Sequence, residues 1–329
     1  MSRRRASRGW TASAVPAVRD ELVALLRGSA ERNAQMVERA ESTGNTRLAE
    51  DFRGASERDR HSANRLSAAS LFWVTSDMAT VALDASQDCP GVTASDVPTT
   101  TGLICFASPL PAKDTESVGG VRLRDETGTP RPDDHTAPIP VDAIWWSVHG
   151  VEVRVELLVK TGRLPGRIYA SASRSTLEPF MSLTLPMPAD FTKDMTFLGP
   201  EGASVSSDSL GVISLLATTW VLMMTPTVAS QRDITPPTGG GGASAPDVRD
   251  LRTVTLIDLR ALRQAPAEDT PADAGSRTYR RRWIVRGHWR QQAVGPKRGD
   301  RRATWIPSYI KGPSGAPLIP SEHVSVWRR

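Results

Sequence analysis

Ala143-Ile144-Trp145-Trp146-Ser147-Val148, then His149-Gly150, then Val151-Glu152-Val153-Arg154-Val155-Glu156-Leu157-Leu158 is the stretch that decides the fold class. Two runs rich in β-branched and aromatic residues flank a two-residue turn ending in glycine, the pattern of a β-hairpin. In the second run Val151, Val153, Val155 and Leu157 alternate with Glu152, Arg154 and Glu156. The spacing predicts one apolar face and one face open to water. Residues 103–107 read as a short strand and 177–185 as a further one, so the sheet is expected to be mainly antiparallel.

Working outward, the first eighty residues change period. After Pro16, the residues Val18, Leu22, Leu25 and Leu26 recur at helical spacing up to Gly28. Ser29 suits the cap of a second helix carrying Met36, Val37 and Ala40, which stops near Gly44. Residues 46–66 read as a third helix whose many charges form a solvated face over Leu48, Phe52 and Leu66. Residues 67–83, with Leu71, Phe72, Val74, Met78, Val81 and Ala82, read as a buried fourth helix. Residues 209–225 form one more, capped by Ser207 or Asp208 and ended by Pro226; it is apolar almost all round and therefore expected at the centre of the core. Helices on one face of a mainly antiparallel sheet make an α+β fold.

The chain has 329 residues, 39% of them hydrophobic, with 25 Pro and 25 Gly, so two units plus linkers are expected. Residues 1–13 read as a disordered basic tail and 14–225 as an α+β core domain. Residues 226–276 read as a flexible Pro/Gly/Ala-rich linker with one strand near 252–259, and 277–329 as a small basic β module of three strands. Cys89 and Cys105 give neither a disulfide framework nor a zinc knuckle, which suits a reducing cytoplasm. No apolar run follows the N-terminal arginines, and the longest apolar stretch, 210–224, falls short of the ~20 residues of a membrane span. A cytoplasmic protein with no membrane association is expected.

Charge is polarised along the chain. Residues 277–329 hold 13 Lys/Arg against 2 Asp/Glu, a net of +11, whereas the whole chain carries +5. The rest is net acidic, and a basic segment so placed points to a polyanionic partner. Read as one extended strand, residues 282–290 put Trp283, Val285 and Trp289 on one face and Arg282, Arg286, His288 and Arg290 on the other. A turn at 295–299 returns the chain as Arg301-Arg302-Ala303-Thr304-Trp305, with Tyr309 and Lys311 beyond it; Val324, Val326 and Trp327 are candidates for the third strand. Arginines tracking a phosphodiester backbone while a Trp or Tyr stacks on bases would read RNA or single strands in preference to duplex DNA. The candidate contacts are Arg280, Arg282, Arg286, His288, Trp289, Arg290, Arg301, Arg302, Trp305, Tyr309 and Lys311. The alternatives are a structural role, with the tryptophans as core and the arginines solvated, and a protein-partner surface, since Trp and Arg dominate interface hot spots. No catalytic or metal residues are assigned and no cofactor is expected. His288 and His323 have no carboxylate cluster near them, Asp133-Asp134-His135 lies between prolines in a loop, and no phosphate-binding glycine loop or nucleophile elbow is present.

Residues 282–292 (Arg-Trp-Ile-Val-Arg-Gly-His-Trp-Arg-Gln-Gln), 305–313 (Trp-Ile-Pro-Ser-Tyr-Ile-Lys-Gly-Pro) and the boundary 220–226 (Trp-Val-Leu-Met-Met-Thr-Pro) resemble an uncharacterised family from actinobacterial phages and plasmids. More distantly they resemble the second family of anti-CRISPR proteins directed against type V-A effectors. That resemblance implies a non-enzymatic inhibitor that blocks production of the effector by engaging its nascent chain or message. Three functions follow as expectations. They are a non-enzymatic nucleic-acid-binding accessory protein of a mobile genetic element, an anti-CRISPR-like inhibitor engaging a polypeptide, and a structural phage or plasmid protein without ligand.

Overall fold

A computed structural model of the chain describes residues 10–89, 91–110, 140–161, 175–189, 207–235, 252–260, 283–285, 287–307 and 309–311. The architecture is α+β, and its centre is a seven-stranded mixed sheet. Its strands are β1 (Ser70–Val74), β2 (Thr101–Leu110), β3 (Val141–His149), β4 (Glu152–Lys160), β5 (Leu177–Pro186), β6 (Ala229–Ile234) and β7 (Val254–Leu259). They lie in the order β5-β4-β3-β2-β1-β7-β6. The β3–β4 hairpin turns at Gly150, whose φ of 60° suits a residue without Cβ. β7, β1 and β2 run parallel to one another, and every other neighbour is antiparallel. Two of these strands, β6 and β7, fall inside the stretch 226–276.

The N-terminal helices differ from the sequence expectation in two places. Instead of breaking at Gly28-Ser29, α1 is one helix, Val15–Ser42. A helix-interior glycine costs only about 1 kcal/mol relative to alanine, and packing against α2 (Thr46–Ser67) offsets it. Small residues let the two helices approach: Ala30, Ala40, Ala49 and Ser56 are buried, and the Ser56 hydroxyl donates to the Ala30 carbonyl at 2.8 Å. The second difference is in 67–83, which is not one helix but β1 followed by α3 (Ser76–Ser86). Leu71-Phe72-Trp73-Val74 is a continuous apolar run because both of its faces are covered, and such a run carries no period to separate strand from helix. Thr75 ends the strand and caps α3, accepting from the Met78 amide at 3.5 Å.

Helices cover both faces of the sheet, so on the charged face of β4 Glu156 is buried and Arg154 half-covered, and only Glu152 is open to water as the alternation suggests. On that side α1 and α2 pack Val18, Leu22 and Leu66 onto Leu71, Trp73, Trp145 and Leu158. On the other side α3 and α4 (Ser207–Met223) pack onto Phe72, Ile104, Trp146 and Val155. α4 is buried on nearly every side from Val212 to Met223, matching its all-round apolar sequence. Trp146 is the hub: its ring stacks on Phe72 at 5.7 Å and meets the edge of Trp220 at 5.3 Å, while its indole N–H donates to the Thr99 carbonyl at 3.0 Å. Opposite it in the ladder stands Gly102, where a Cβ would overlap the indole. Among the described residues no helix is long and apolar enough to cross a membrane.

Candidate functional site

Four short strands follow: β8 (Trp283–Val285), β9 (His288–Val294), β10 (Asp300–Ile306) and β11 (Tyr309–Lys311). They form two antiparallel pairs, β9–β10 and β8–β11, in place of a continuous strand over 282–290. The expected third strand at 324–327 lies outside the described residues. Extended structure lapses at Gly287, so Val285 faces Tyr309 in one pair while Trp289 faces Trp305 in the other.

The β9–β10 hairpin is anchored by its tryptophans. Trp289 and Trp305 are directly opposite each other with rings edge to face at 5.4 Å. Trp305 is only 3% exposed and belongs to the core beneath α3 and α4. Trp289 is half-buried, and its indole N–H donates to the Ala85 carbonyl of α3 at 2.9 Å. The space over Gly287 is filled by the Trp305 ring, which a Cβ at that position would overlap. These tryptophans fix the hairpin to the body, and a ring as covered as Trp305 has no free face for a nucleobase.

The opposite face of the hairpin is wet and cationic. Register places Arg290 across from Thr304 and Arg302 across from Gln292, so the two guanidinium groups are diagonal neighbours, with His288 on the same face. Lys297 and Arg298 occupy the turn, both at φ 57°, in the left-handed region that disfavours residues with a Cβ. Arg290, Lys297, Arg298, Arg301 and Arg302 are all exposed. None of the five makes an ion pair among the described residues. Arg301 has the parity of Trp305 and points back toward the body, where it helps line a cleft of about 490 Å³. Across that cleft stand Thr93, Ser95 and Asp96.

Of the residues singled out from sequence, His288, Trp289, Arg290, Arg301, Arg302 and Trp305 are thus brought together on one hairpin. Arg280, Arg282 and Arg286 lie outside the described residues, as do the side chains of Tyr309 and Lys311, whose backbone forms β11. His323 and the 133–135 grouping also lie outside them.

A second polar cluster was not visible in the sequence. His61 of α2 and His149 of the β3–β4 turn stand 5.8 Å apart, ring centre to ring centre. Arg65 ties them together, donating to His61 Nε2 at 2.9 Å and to the Val148 carbonyl at 2.8 Å. His149 Nε2 is 2.8 Å from the Ser147 hydroxyl, and partial burial together with the Arg65 charge pushes its pKa down. No carboxylate hydrogen-bonds to His149 among the described residues, and Ser147 is buried, so the pair lacks both the orienting acid and the accessible nucleophile of a hydrolytic triad. The contact joins positions 88 apart in sequence, and nothing local signals it. Among the described residues no three His, Cys, Asp or Glu side chains gather as a metal site would require.

Residues 222–311 match the AcrVA2-like family, described as the anti-CRISPR type V subtype A2 family. The match starts at the last turn of α4 and runs through β6, β7 and the cationic hairpin to the end of β11. It covers about a quarter of the chain and leaves α1–α3 and β1–β5 outside. No curated protein matches the chain.

Proposed function

We propose that the protein is a non-enzymatic inhibitor of the anti-CRISPR kind, carried by a mobile genetic element, that works by binding through its cationic hairpin. The observation that carries this reading is the family match over 222–311, which takes in the whole of that hairpin. The fold supports it physically. Tryptophans hold β9–β10 to the core, and a pre-organised surface loses little entropy on binding. The target under this reading is a type V-A effector, engaged as its nascent chain or its message.

The test is plasmid interference in cells carrying a type V-A system, with and without the protein. Protection of the targeted plasmid, reduced effector on an immunoblot, and loss of both in an Arg290→Glu/Arg302→Glu variant are expected. Unimpaired interference in the presence of the intact, soluble protein would sink the reading.

A specific observation favours a second reading, RNA or single-strand binding: Arg290 and Arg302 are adjacent, exposed and without carboxylate partners among the described residues. Phosphate contacts of this kind make affinity fall steeply with salt. Filter binding of the full chain to single-stranded RNA across a salt series measures it, and binding indifferent to ionic strength would count against it.

A further inference from the structure

The cleft behind the hairpin has a chemistry that neither reading uses. Its volume of about 490 Å³ falls in the range of small-molecule sites. One wall, from β10, carries the exposed cation Arg301, with Gln291 of β9 on the same face beside it. The facing wall is the short 3₁₀ turn Ala94–Asp96, which closes a capping box. Asp96 Oδ2 accepts from the Thr93 amide at 2.9 Å and from the Thr93 hydroxyl at 2.8 Å. Those bonds fix the carboxylate while Oδ1 has no partner among the described residues. Between the walls lies Ala303, with the buried core residues Val92 and Val221 beneath the floor.

A ligand complementary to this cleft must carry an anion at one end and a hydrogen-bond donor at the other, with a body that tolerates an apolar floor. A ribonucleotide has all three. We infer that this cleft binds a ribonucleotide, its phosphate held by Arg301 with Gln291 beside it and a ribose hydroxyl donating to Asp96 Oδ1. Guanidinium groups suit phosphate because their planar donors match its oxygens in pairs. The carboxylate gives the site a means of preferring ribose to deoxyribose, since only ribose offers the 2′-hydroxyl. The same chemistry occurs in a free nucleotide and at the 5′ end of an RNA, and the site stands apart from the inhibitor reading.

The experiment is calorimetric titration of the full-length protein with AMP, deoxyAMP, inorganic phosphate and a 5′-phosphorylated hexa-adenylate. Saturable binding of AMP or of the hexa-adenylate is expected, the stronger of the two identifying the source. Affinity should fall at least tenfold in Arg301→Gln, and Asp96→Asn should abolish the preference for AMP over deoxyAMP. Arg53→Gln, which removes an exposed cation paired with Glu41 far along the chain, should bind as the wild type does. Circular dichroism confirms that each variant is folded. Three outcomes overturn the inference: no saturation with either adenylate, wild-type affinity in the Arg301 variant, or inorganic phosphate binding as tightly as AMP. Failure here leaves plasmid interference untouched, so the two proposals fall separately.

Discussion

Glu156 sits on β4 beneath α1 and α2, accepting from Arg154 Nε at 2.8 Å and from the Ser182 hydroxyl at 2.9 Å. Burial raises its carboxyl above the ordinary 4.5, and this outweighs the lowering by Arg154 and Ser182. The folded state therefore holds the proton more tightly than the unfolded chain does, so stability contributed by this group is complete below about 4.5 and is lost as pH rises through the folded value. Glu156→Gln cannot titrate. Its denaturation midpoint relative to the wild type should climb as pH rises from about 4.5 through the folded value and then level off, whatever the offset at either end, and a flat difference would show that burial does not perturb the group. The alternation of Val153, Val155 and Leu157 with Arg154 and Glu156 correctly separated the two faces of β4. What it could not reveal was the cover. A charged face reads as wet, and the residues that dry it come from α1 and α2, more than eighty positions away.

At the scale of the element, the β9–β10 hairpin depends on one missing side chain. A methyl group at position 287 would overlap the Trp305 ring, and that ring is held between the hairpin and the core with no room to yield. Gly287→Ala should destabilise the docked hairpin by about 1–3 kcal/mol, as overpacking in cores does. Tryptophan fluorescence should shift to the red as Trp305 meets water. Gly211→Ala in α4 is the contrast, because nothing lies within 4 Å of a Cβ there and alanine is the better helix former. Equal behaviour of the two variants would mean that Gly287 does not govern docking. The hairpin was legible as a turn at 295–299 with Trp289 and Trp305 on one face. The break at Gly287 was not, since it is imposed by a ring arriving from another strand. β1 was hidden for a related reason: Leu71 to Val74 are buried on both faces, and a sequence without alternation does not declare its period.

Over the whole molecule, the question raised by the sequence is whether the basic segment rides on a linker or belongs to the core. Composition argued for a tether, with glycine- and proline-rich stretches on either side of residues 252–259. Two contacts argue for attachment: Trp305 buried with α3 and α4, and the Trp289 indole bonded to the Ala85 carbonyl. They make different predictions for a chain ending at residue 260, which keeps all seven strands of the main sheet. If the segment were merely tethered, its removal would leave the thermal transition where it was. Attachment requires more, because losing a buried tryptophan from a core costs about 3–5 kcal/mol. The shortened chain should then melt lower by on the order of 5 °C or more and bind an apolar dye at the uncovered surface of α3 and α4. Dye binding and the melting shift should appear together, since both report the same exposed patch. Trp305→Ala in the full chain should reproduce most of the shift if the tryptophan is the anchor, whereas Arg302→Gln, on the wet face, should leave it unchanged.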